Sequence, residues 1–237
     1  MNQFGGYVGV GLWQDQFVDG LVLPAVFLLF FFFALQYWWH VPFFLQMLRE
    51  IFSVKERGNL FEDSENENRG VHVFLLFQML FLCSLFVFFI AREKGVTVYL
   101  SGKEQLLLLA LFFLVLVVYY LVKKLFYLTF AYTFYSEERY RFWKRGYDAA
   151  IAVWGIFLYL PVFLFLAKAD LFATSFLFLI SFISSRIVII YKTIRIFYMK
   201  NGNLFYISLY LCAQEIIPLF LLCKGVNEMC YFIEMNI

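Results

Sequence analysis

The stretch that decides the fold is QLLLLALFFLVLVVYYLV, residues 105–122, which carries no charged side chain over 18 residues. As a helix it would rise about 27 Å, close to the ~30 Å hydrocarbon core of a bilayer. Backbone groups in lipid must form their hydrogen bonds within the segment, which favours a helix. The apolar run is continuous and lacks the alternation of a barrel strand. The stretch therefore predicts a transmembrane helix.

Long apolar runs also occur on the N-terminal and C-terminal sides of this stretch. Five further apolar segments lie at about 20–39, 71–90, 149–166, 171–191 and 203–222. Only 15% of the 237 residues are charged, whereas a soluble domain has about 25%. The charged surface that a water-soluble protein needs is therefore missing. The sequence predicts an all-α polytopic membrane helix bundle with about six transmembrane helices, forming a single domain over residues 1–237.

The distribution of Lys and Arg predicts the orientation. With the N-terminus outside, thirteen Lys and Arg residues fall in inner segments and five in outer segments, so the positive-inside rule places both termini in the periplasm. The predicted cytoplasmic loops are 40–70, 123–148 and 192–202. Residues 41–52 have helical spacing and are expected to lie in the membrane interface.

Seven basic residues near the predicted inner boundary are interpreted as interfacial anchors. They are Lys123, Lys124, Arg141, Lys144, Arg145, Lys192 and Arg195. Placing a lysine at mid-membrane raises the free energy of insertion by roughly 2.5–3.5 kcal/mol. The Lys123–Lys124 pair is therefore placed at the end of the predicted third transmembrane helix, 105–122, which is called helix three here. The alternative slides helix three forward and buries the pair among neighbouring helices, which would make the lysines functional. The basic aromatic run 139–147 could also bind anionic lipid or a cytoplasmic partner.

Four positions in the last two predicted helices are intramembrane polar candidates: Arg186, Gln214, Glu215 and Pro218. An ionisable residue inside a membrane needs a partner or water, and Arg186 is the expected counter-charge for Glu215. Pro218 frees the carbonyl of Gln214 and predicts a kink. Three hypotheses remain open: a structural Arg–Glu pair, a proton- or substrate-handling site, or a protonated Glu215.

No motif for catalysis, a cofactor or a metal is visible in the sequence. His40 and His72 are far apart and have no carboxylate frame, so no metal site, no cofactor and no catalytic residue is predicted. A disulfide between Cys223 and Cys230 stays open at this stage. The lipid bilayer is the expected partner, with a membrane protein or a second copy as further partners and no nucleic acid.

The C-terminal part of the sequence resembles a known family. The pattern Tyr191-x-Thr193-Ile194-x-x-Phe197 is followed by Tyr-Leu-Cys-x-x-Glu-Ile-x-Pro at 210–218. Together they are similar to the multi-pass membrane proteins of Bacteroidota classed as domain of unknown function 4271. The resemblance implies a bacterial inner-membrane protein and gives added weight to Glu215 and Pro218, but the family brings no established activity.

The leading functional hypothesis is a non-enzymatic subunit or accessory factor of a cell-envelope complex for secretion or assembly. One alternative is a small proton-coupled transporter that uses Glu215 and Arg186. A membrane-embedded lipid enzyme is the other alternative.

Overall fold

The computed structural model describes residues 13–52, 69–97, 100–134, 137–168, 170–197 and 217–236. Within these ranges the regular structure is entirely helical, which confirms the all-α prediction. The eight helices are α1 Trp13–Trp39, α2 Val41–Phe52, α3 Arg69–Glu93, α4 Gly102–Phe134, α5 Glu137–Phe157, α6 Tyr159–Leu166, α7 Leu171–Phe197 and α8 Ile217–Asn236.

Five stretches of these helices are long and apolar enough to cross a membrane, which makes this a multi-pass membrane protein. The candidate spans are Gly20–Trp39, Gly70–Glu93, Gly102–Thr129, Trp143–Leu166 and Leu171–Ile194. The predicted sixth span, 203–222, lies mostly outside the described residues, and only its last part coincides with α8. Six crossings and two periplasmic termini therefore remain predictions.

The third helix forms the centre of the bundle. In its most apolar window 61% of the residues are buried, compared with 17% for α1 and 11% for α7. Leu75, Leu82 and Leu85 of α3 are completely buried. The first and seventh helices turn most of their apolar side chains outward, where acyl chains solvate them.

The segment 123–148, predicted as a cytoplasmic loop, is mostly helical, and its cytoplasmic location stays a prediction. Helix α4 continues to Phe134 and α5 begins at Glu137, so only two residues separate them. Lys, Arg and Glu are good helix formers, and a helix that leaves the acyl region can keep its hydrogen-bond ladder in water. The lysines at 123 and 124 end the uncharged run, but the candidate span continues to Thr129 and the helix to Phe134.

A proline separates α5 from α6 within the fourth candidate span. Pro161 has no N–H group, so the carbonyl of Phe157 loses its helical partner. The hydrogen bonds on either side survive, since the Leu158 N–H donates to the Trp154 carbonyl at 3.1 Å and Leu158 in turn accepts at 3.3 Å from Val162. The two helices therefore serve as one interrupted span.

A tight turn at Lys168 joins α6 to α7. Lys168 adopts a left-handed backbone conformation with φ 56°, and its N–H donates to the carbonyl of Phe165 at 2.9 Å. The carboxylate of Asp170 accepts a hydrogen bond from the N–H of Ala173 at 3.3 Å. This acidic cap satisfies a free donor in the first turn of α7 and fixes where that helix begins.

The helical spacing at 41–52 corresponds to α2. Its buried side chains Phe44 and Met47 join a small core with Val71 of α3 and Ala149 of α5. Helix α2 therefore packs against both α3 and α5. Its place in the membrane interface stays a prediction.

Candidate functional site

Helices α4, α5 and α7 bring buried lysine and aromatic side chains together at one end of the bundle. This lysine–aromatic cluster comprises Lys123 and Tyr127 of α4, Trp143, Gly146 and Tyr147 of α5, and Lys192 and Thr193 of α7. Lys123 is only 2% exposed and Lys192 only 4%. Two lysines this deeply buried are unusual, because lysine is almost never fully buried unless it is paired.

Helical spacing explains how each element supplies its part. Lys123 and Tyr127 are four residues apart on α4, as are Trp143 and Tyr147 on α5, so each pair lies on one face of its helix. Trp143 is also the first residue of the fourth candidate span. Membrane proteins are enriched in Trp and Tyr at this depth, but here the rings are buried between helices.

The three aromatic rings of the cluster contact one another. Ring centroids are 4.3 Å apart for Tyr127 and Trp143, 5.0 Å for Trp143 and Tyr147, and 5.3 Å for Tyr127 and Tyr147. These separations fall in the range of favourable aromatic pairs. The three rings therefore pack α4 against α5.

The ammonium group of Lys123 lies beside two of these rings. Its Nζ is 5.9 Å from the centroid of Tyr127 and 6.0 Å from that of Tyr147. Both distances lie at the outer edge of a cation–π interaction, which is worth more where water is excluded. The rings thus offset part of the cost of burying this charge.

Lys192 reaches α5 at a position where only glycine leaves room for it. A Cβ atom added to Gly146 would overlap the Nζ and Cε atoms of Lys192. The ammonium group of Lys192, on α7, therefore lies directly against the backbone of α5. Since Tyr147 is the next residue, both lysines of the cluster end at consecutive residues of the same helix.

A buried hydrogen bond joins α5 to α7 at the same level. The Nε1–H of Trp143 donates to the Oγ1 of Thr193 at 3.0 Å, and that hydroxyl donates to the carbonyl of Ile189 at 2.8 Å. Thr193 is completely buried. The bond fixes the rotation of α7 about its axis, and with it the direction in which Lys192 points.

The seven basic residues predicted as interfacial anchors have different environments. Lys123 and Lys192 are buried, Lys124 is exposed, and Lys144 and Arg145 are half-buried. The side chains of Arg141 and Arg195 lie outside the described side chains. The alternative in which the predicted third transmembrane helix, now α4, is shifted forward thus fits the buried Lys123 but not the exposed Lys124. Adjacent helical residues point about 100° apart. A role in the interface stays a prediction for all seven.

Arg186, one of the four intramembrane polar candidates, packs against aromatic rings outside this cluster. The guanidinium carbon of Arg186 lies 4.8 Å from the ring of Phe182 and 5.9 Å from that of Trp154. Arg186 precedes Lys192 by six residues, or about 9 Å along the axis. Gln214 and Glu215 lie outside the described residues, so the Arg186–Glu215 pair remains a prediction.

Pro218, the fourth of those candidates, is the second residue of α8 and is half-buried. A proline is well tolerated in the first turn of a helix, where its missing N–H would have no partner. The residues that precede α8 are not described, so the predicted kink remains a prediction.

One buried polar side chain was not anticipated from the sequence. Gln78 lies in the middle of α3 and is completely buried. Neither of its amide atoms has a hydrogen-bond partner among the residues that the structure describes. An amide in this setting carries a desolvation cost of about 1–3 kcal/mol. A lone Gln inside an apolar run was the only signal in the sequence.

The histidines and cysteines do not form a site in the described part of the chain. His40 lies 3.3 Å from the carbonyl of Gln36 through its Nδ1, and the ring of His72 packs edge-on against Phe43 at 4.9 Å. No group of three potential metal ligands is present among the described residues.

The disulfide left open between Cys223 and Cys230 does not fit the helix that carries both residues. They are seven residues apart on α8, or about 10 Å along the axis, whereas a disulfide needs Cα atoms within about 7 Å. Cys223 is a free, exposed thiol.

We expect Gly146→Ala to destabilise the bundle by about 1–2 kcal/mol, because the new methyl group must displace the buried Lys192 side chain. In a Lys192→Ala background the space is vacant, so the same change should be neutral or favourable through helix propensity. Unfolding of the four proteins in mixed micelles by SDS titration measures this coupling. Gly225→Ala is the control, since nothing lies within 4 Å of a Cβ there. Equal effects of Gly146→Ala in both backgrounds would contradict the described contact.

Comparisons with known proteins identify the family. No curated protein and no solved structure matches the chain significantly. One family model matches residues 22–226, a range that includes all five candidate spans except the first two residues of the first, together with the whole lysine–aromatic cluster. The match covers most of the chain and agrees with the resemblance seen at 210–218. This multi-pass membrane protein therefore belongs to the family described as Domain of unknown function (DUF4271).

Proposed function

We propose that the chain is a non-enzymatic subunit or accessory factor of a cell-envelope complex in the inner membrane of Bacteroidota. The observation that carries this proposal is the dense aromatic packing at the centre of the bundle. Phe86 of α3 stacks on Phe178 of α7 with centroids 3.9 Å apart, and Phe89 stacks on Phe165 of α6 at 4.2 Å. Both pairs are nearly parallel, at 7°.

Close backbone approach reinforces these stacks. A Cβ on Gly155 would lie 2.9 Å from the Cβ of Met79 and 3.4 Å from its Cα, so α3 and α5 cross without room between them. Interlocked side chains of this kind have one good arrangement and resist small displacements. Alternating access requires repeats that rock against each other. The packing therefore favours a rigid scaffold over a carrier.

The outer surface offers a place for another membrane helix. Helices α1 and α7 expose most of their apolar side chains, and Trp38 and Trp39 are 80% and 76% exposed at the end of α1. Association of helices in lipid depends on van der Waals packing and not on a hydrophobic force. A rigid partner surface serves such packing because it loses little entropy when a partner docks.

The test is purification of the tagged chain at native expression level in mild detergent, followed by native mass spectrometry. We expect a complex with a second membrane protein at a fixed ratio. Proteoliposomes of the purified chain should show the proton flux of empty vesicles, and Glu215→Gln should not change it. A monomer whose proton flux exceeds that of empty vesicles and disappears in Glu215→Gln would overturn the proposal in favour of a transporter.

A further inference from the structure

We infer that α2 and the adjoining end of α1 form a collar that binds the headgroup region of one leaflet of the bilayer. The collar consists of Tyr37, Trp38 and Trp39 of α1 together with the outward face of α2 at Leu45 and Leu48. The inference goes beyond the role of the chain as a subunit and does not depend on it. A partner helix would pack along α1 and α7, whereas the collar lies at the end of α1.

The chain turns sharply where α1 meets α2. Phe33 and Phe44 are eleven residues apart, which corresponds to about 16 Å along a straight helix, yet their ring centroids are only 5.9 Å apart. Tyr37 also packs against Phe44, with ring centroids 5.2 Å apart. Pro42 explains the break, because it has no N–H group for the carbonyl of Trp38. Helix α2 therefore leaves the direction of the first span.

The buried side chains of α2 keep this helix at one level of the bundle. Phe44 and Met47 share a small core with α3 and α5, and the buried members of that core lie within one helical turn on each helix, at 71–75 and 149–152. A helix of twelve residues that ran alongside α3 would cover about 18 Å of it. Helix α2 therefore crosses the bundle at a large angle.

The level at which α2 crosses coincides with the ends of two candidate spans. The first span ends at Trp39, and the second begins at Gly70, one residue before the buried Val71 of the small core. With twelve residues, α2 is too short to cross the hydrocarbon core itself. A short helix that lies across the spans at their ends has the position of an interfacial helix.

The exposed side chains of the collar suit the headgroup region better than water or acyl chains. Trp38 and Trp39 are 80% and 76% exposed, and side chains about 100° apart on a helix are not both covered by one neighbouring helix. Their rings are apolar but carry an N–H donor, and such side chains are enriched at membrane interfaces. Leu45 and Leu48 are 55% and 43% exposed, and in water their apolar area would stay uncovered. The lipid interface accommodates both kinds of side chain.

The collar also places the lysine–aromatic cluster relative to the bilayer. Trp143 and Gly146 of the cluster precede Ala149, a member of the small core of α2, by about 9 Å and 5 Å along α5. Both lie on the side away from the middle of the fourth span, Trp143–Leu166. The cluster therefore lies on the aqueous side of the level set by α2, where burying a lysine costs less than in the acyl core.

Quenching of tryptophan fluorescence by brominated lipids measures the depth of the collar. The purified full chain is reconstituted in phosphatidylcholine vesicles whose acyl chains carry bromine either near the headgroup or near the chain end. The difference in fluorescence between the wild type and Trp38→Phe/Trp39→Phe isolates the exposed pair. We expect this difference signal to lose more intensity with bromine near the headgroup.

Two outcomes of the quenching experiment would overturn the inference. A larger loss with bromine near the chain end would place the pair in the acyl core. No loss with either lipid would mean that a second copy of the chain or water covers the pair.

A pair of variants tests the outward face of α2 directly. Leu45→Trp, made in the Trp38→Phe/Trp39→Phe background, adds a fluorophore to that face. Leu114→Trp in the same background is the matched control, because Leu114 is 58% exposed and lies in the middle of the third candidate span, Gly102–Thr129. Both positions are more than half exposed, so neither change disturbs the packed interior.

The two variants should report different depths. We expect the Leu45→Trp signal to lose more intensity with bromine near the headgroup, and the Leu114→Trp signal to lose more with bromine near the chain end. Equal depth profiles for the two variants would show that α2 does not lie at the interface and would contradict the inference.

Discussion

Gly155→Leu is expected to lower the free energy of unfolding of the bundle by about 3 kcal/mol. The Cβ of any larger residue would lie 2.9 Å from the Cβ of Met79, and the backbone atoms of α3 are close behind, with the Cα of Met79 at 3.4 Å and the carbonyl oxygen of Leu75 at 3.6 Å. A leucine cannot be accommodated by a side-chain movement alone, so the two helices must separate. Small residues at helix crossings in membranes serve this close approach.

Unfolding by SDS titration of the protein in micelles measures this effect. Gly70→Leu is the matched control, since Gly70 lies on α3 and nothing stands within 4 Å of a Cβ at that position. The control should change stability by a few tenths of a kcal/mol, in the direction of higher stability, because leucine is the better helix former. Similar stabilities for both variants would show that α3 and α5 do not cross at Gly155.

Phe86→Ala is the second change with a large expected effect, a loss of about 3–5 kcal/mol. Phe86 is almost completely buried and stacks on Phe178 at 3.9 Å, and Phe178 in turn lies 6.5 Å from the ring of Trp154. Removing the ring leaves a cavity bounded by three helices, which cannot close without moving their backbones. Lost dispersion contacts supply most of this cost, because inside a membrane the alternative environment is also apolar.

The same SDS titration compares Phe86→Ala with Phe126→Ala. Phe126 lies on α4 and is 53% exposed, so lipid fills the space after truncation and the expected loss is below about 1 kcal/mol. A small effect of Phe86→Ala would argue against the packed interior. It would also remove the main support for a rigid scaffold.

The helices themselves could be predicted from sequence because each depends on a local property. An apolar run of about twenty residues in lipid has no partner for its backbone except itself, so the run of 105–122 requires a helix. Helix ends were less predictable. The charges at Lys123 and Lys124 end the uncharged run of 105–122, but the candidate span continues to Thr129 and helix α4 to Phe134.

The cluster was only partly visible in the sequence. Lys123 and Lys192 were singled out, but as anchors that reach the interface. Lys192 packs against Gly146, and Lys123 lies beside rings contributed by two helices. These contacts join residues that are far apart in the sequence. The i, i+4 pairs Lys123–Tyr127 and Trp143–Tyr147 were the available signal, although the same spacing is common on lipid-facing surfaces.

By itself, the sequence determined that this protein lies in a membrane and that its spans are helical. These features follow from the solvent around each segment and from backbone hydrogen bonds within it. Only the tertiary structure decided that α3 is central, that adjacent Lys123 and Lys124 have opposite environments, and that two lysines converge on α5. Helix rotation and crossing are set by the fit of side chains from segments that are distant in sequence. In lipid both the packed face and the exposed face of a helix are apolar, so the sequence pattern does not show which face packs.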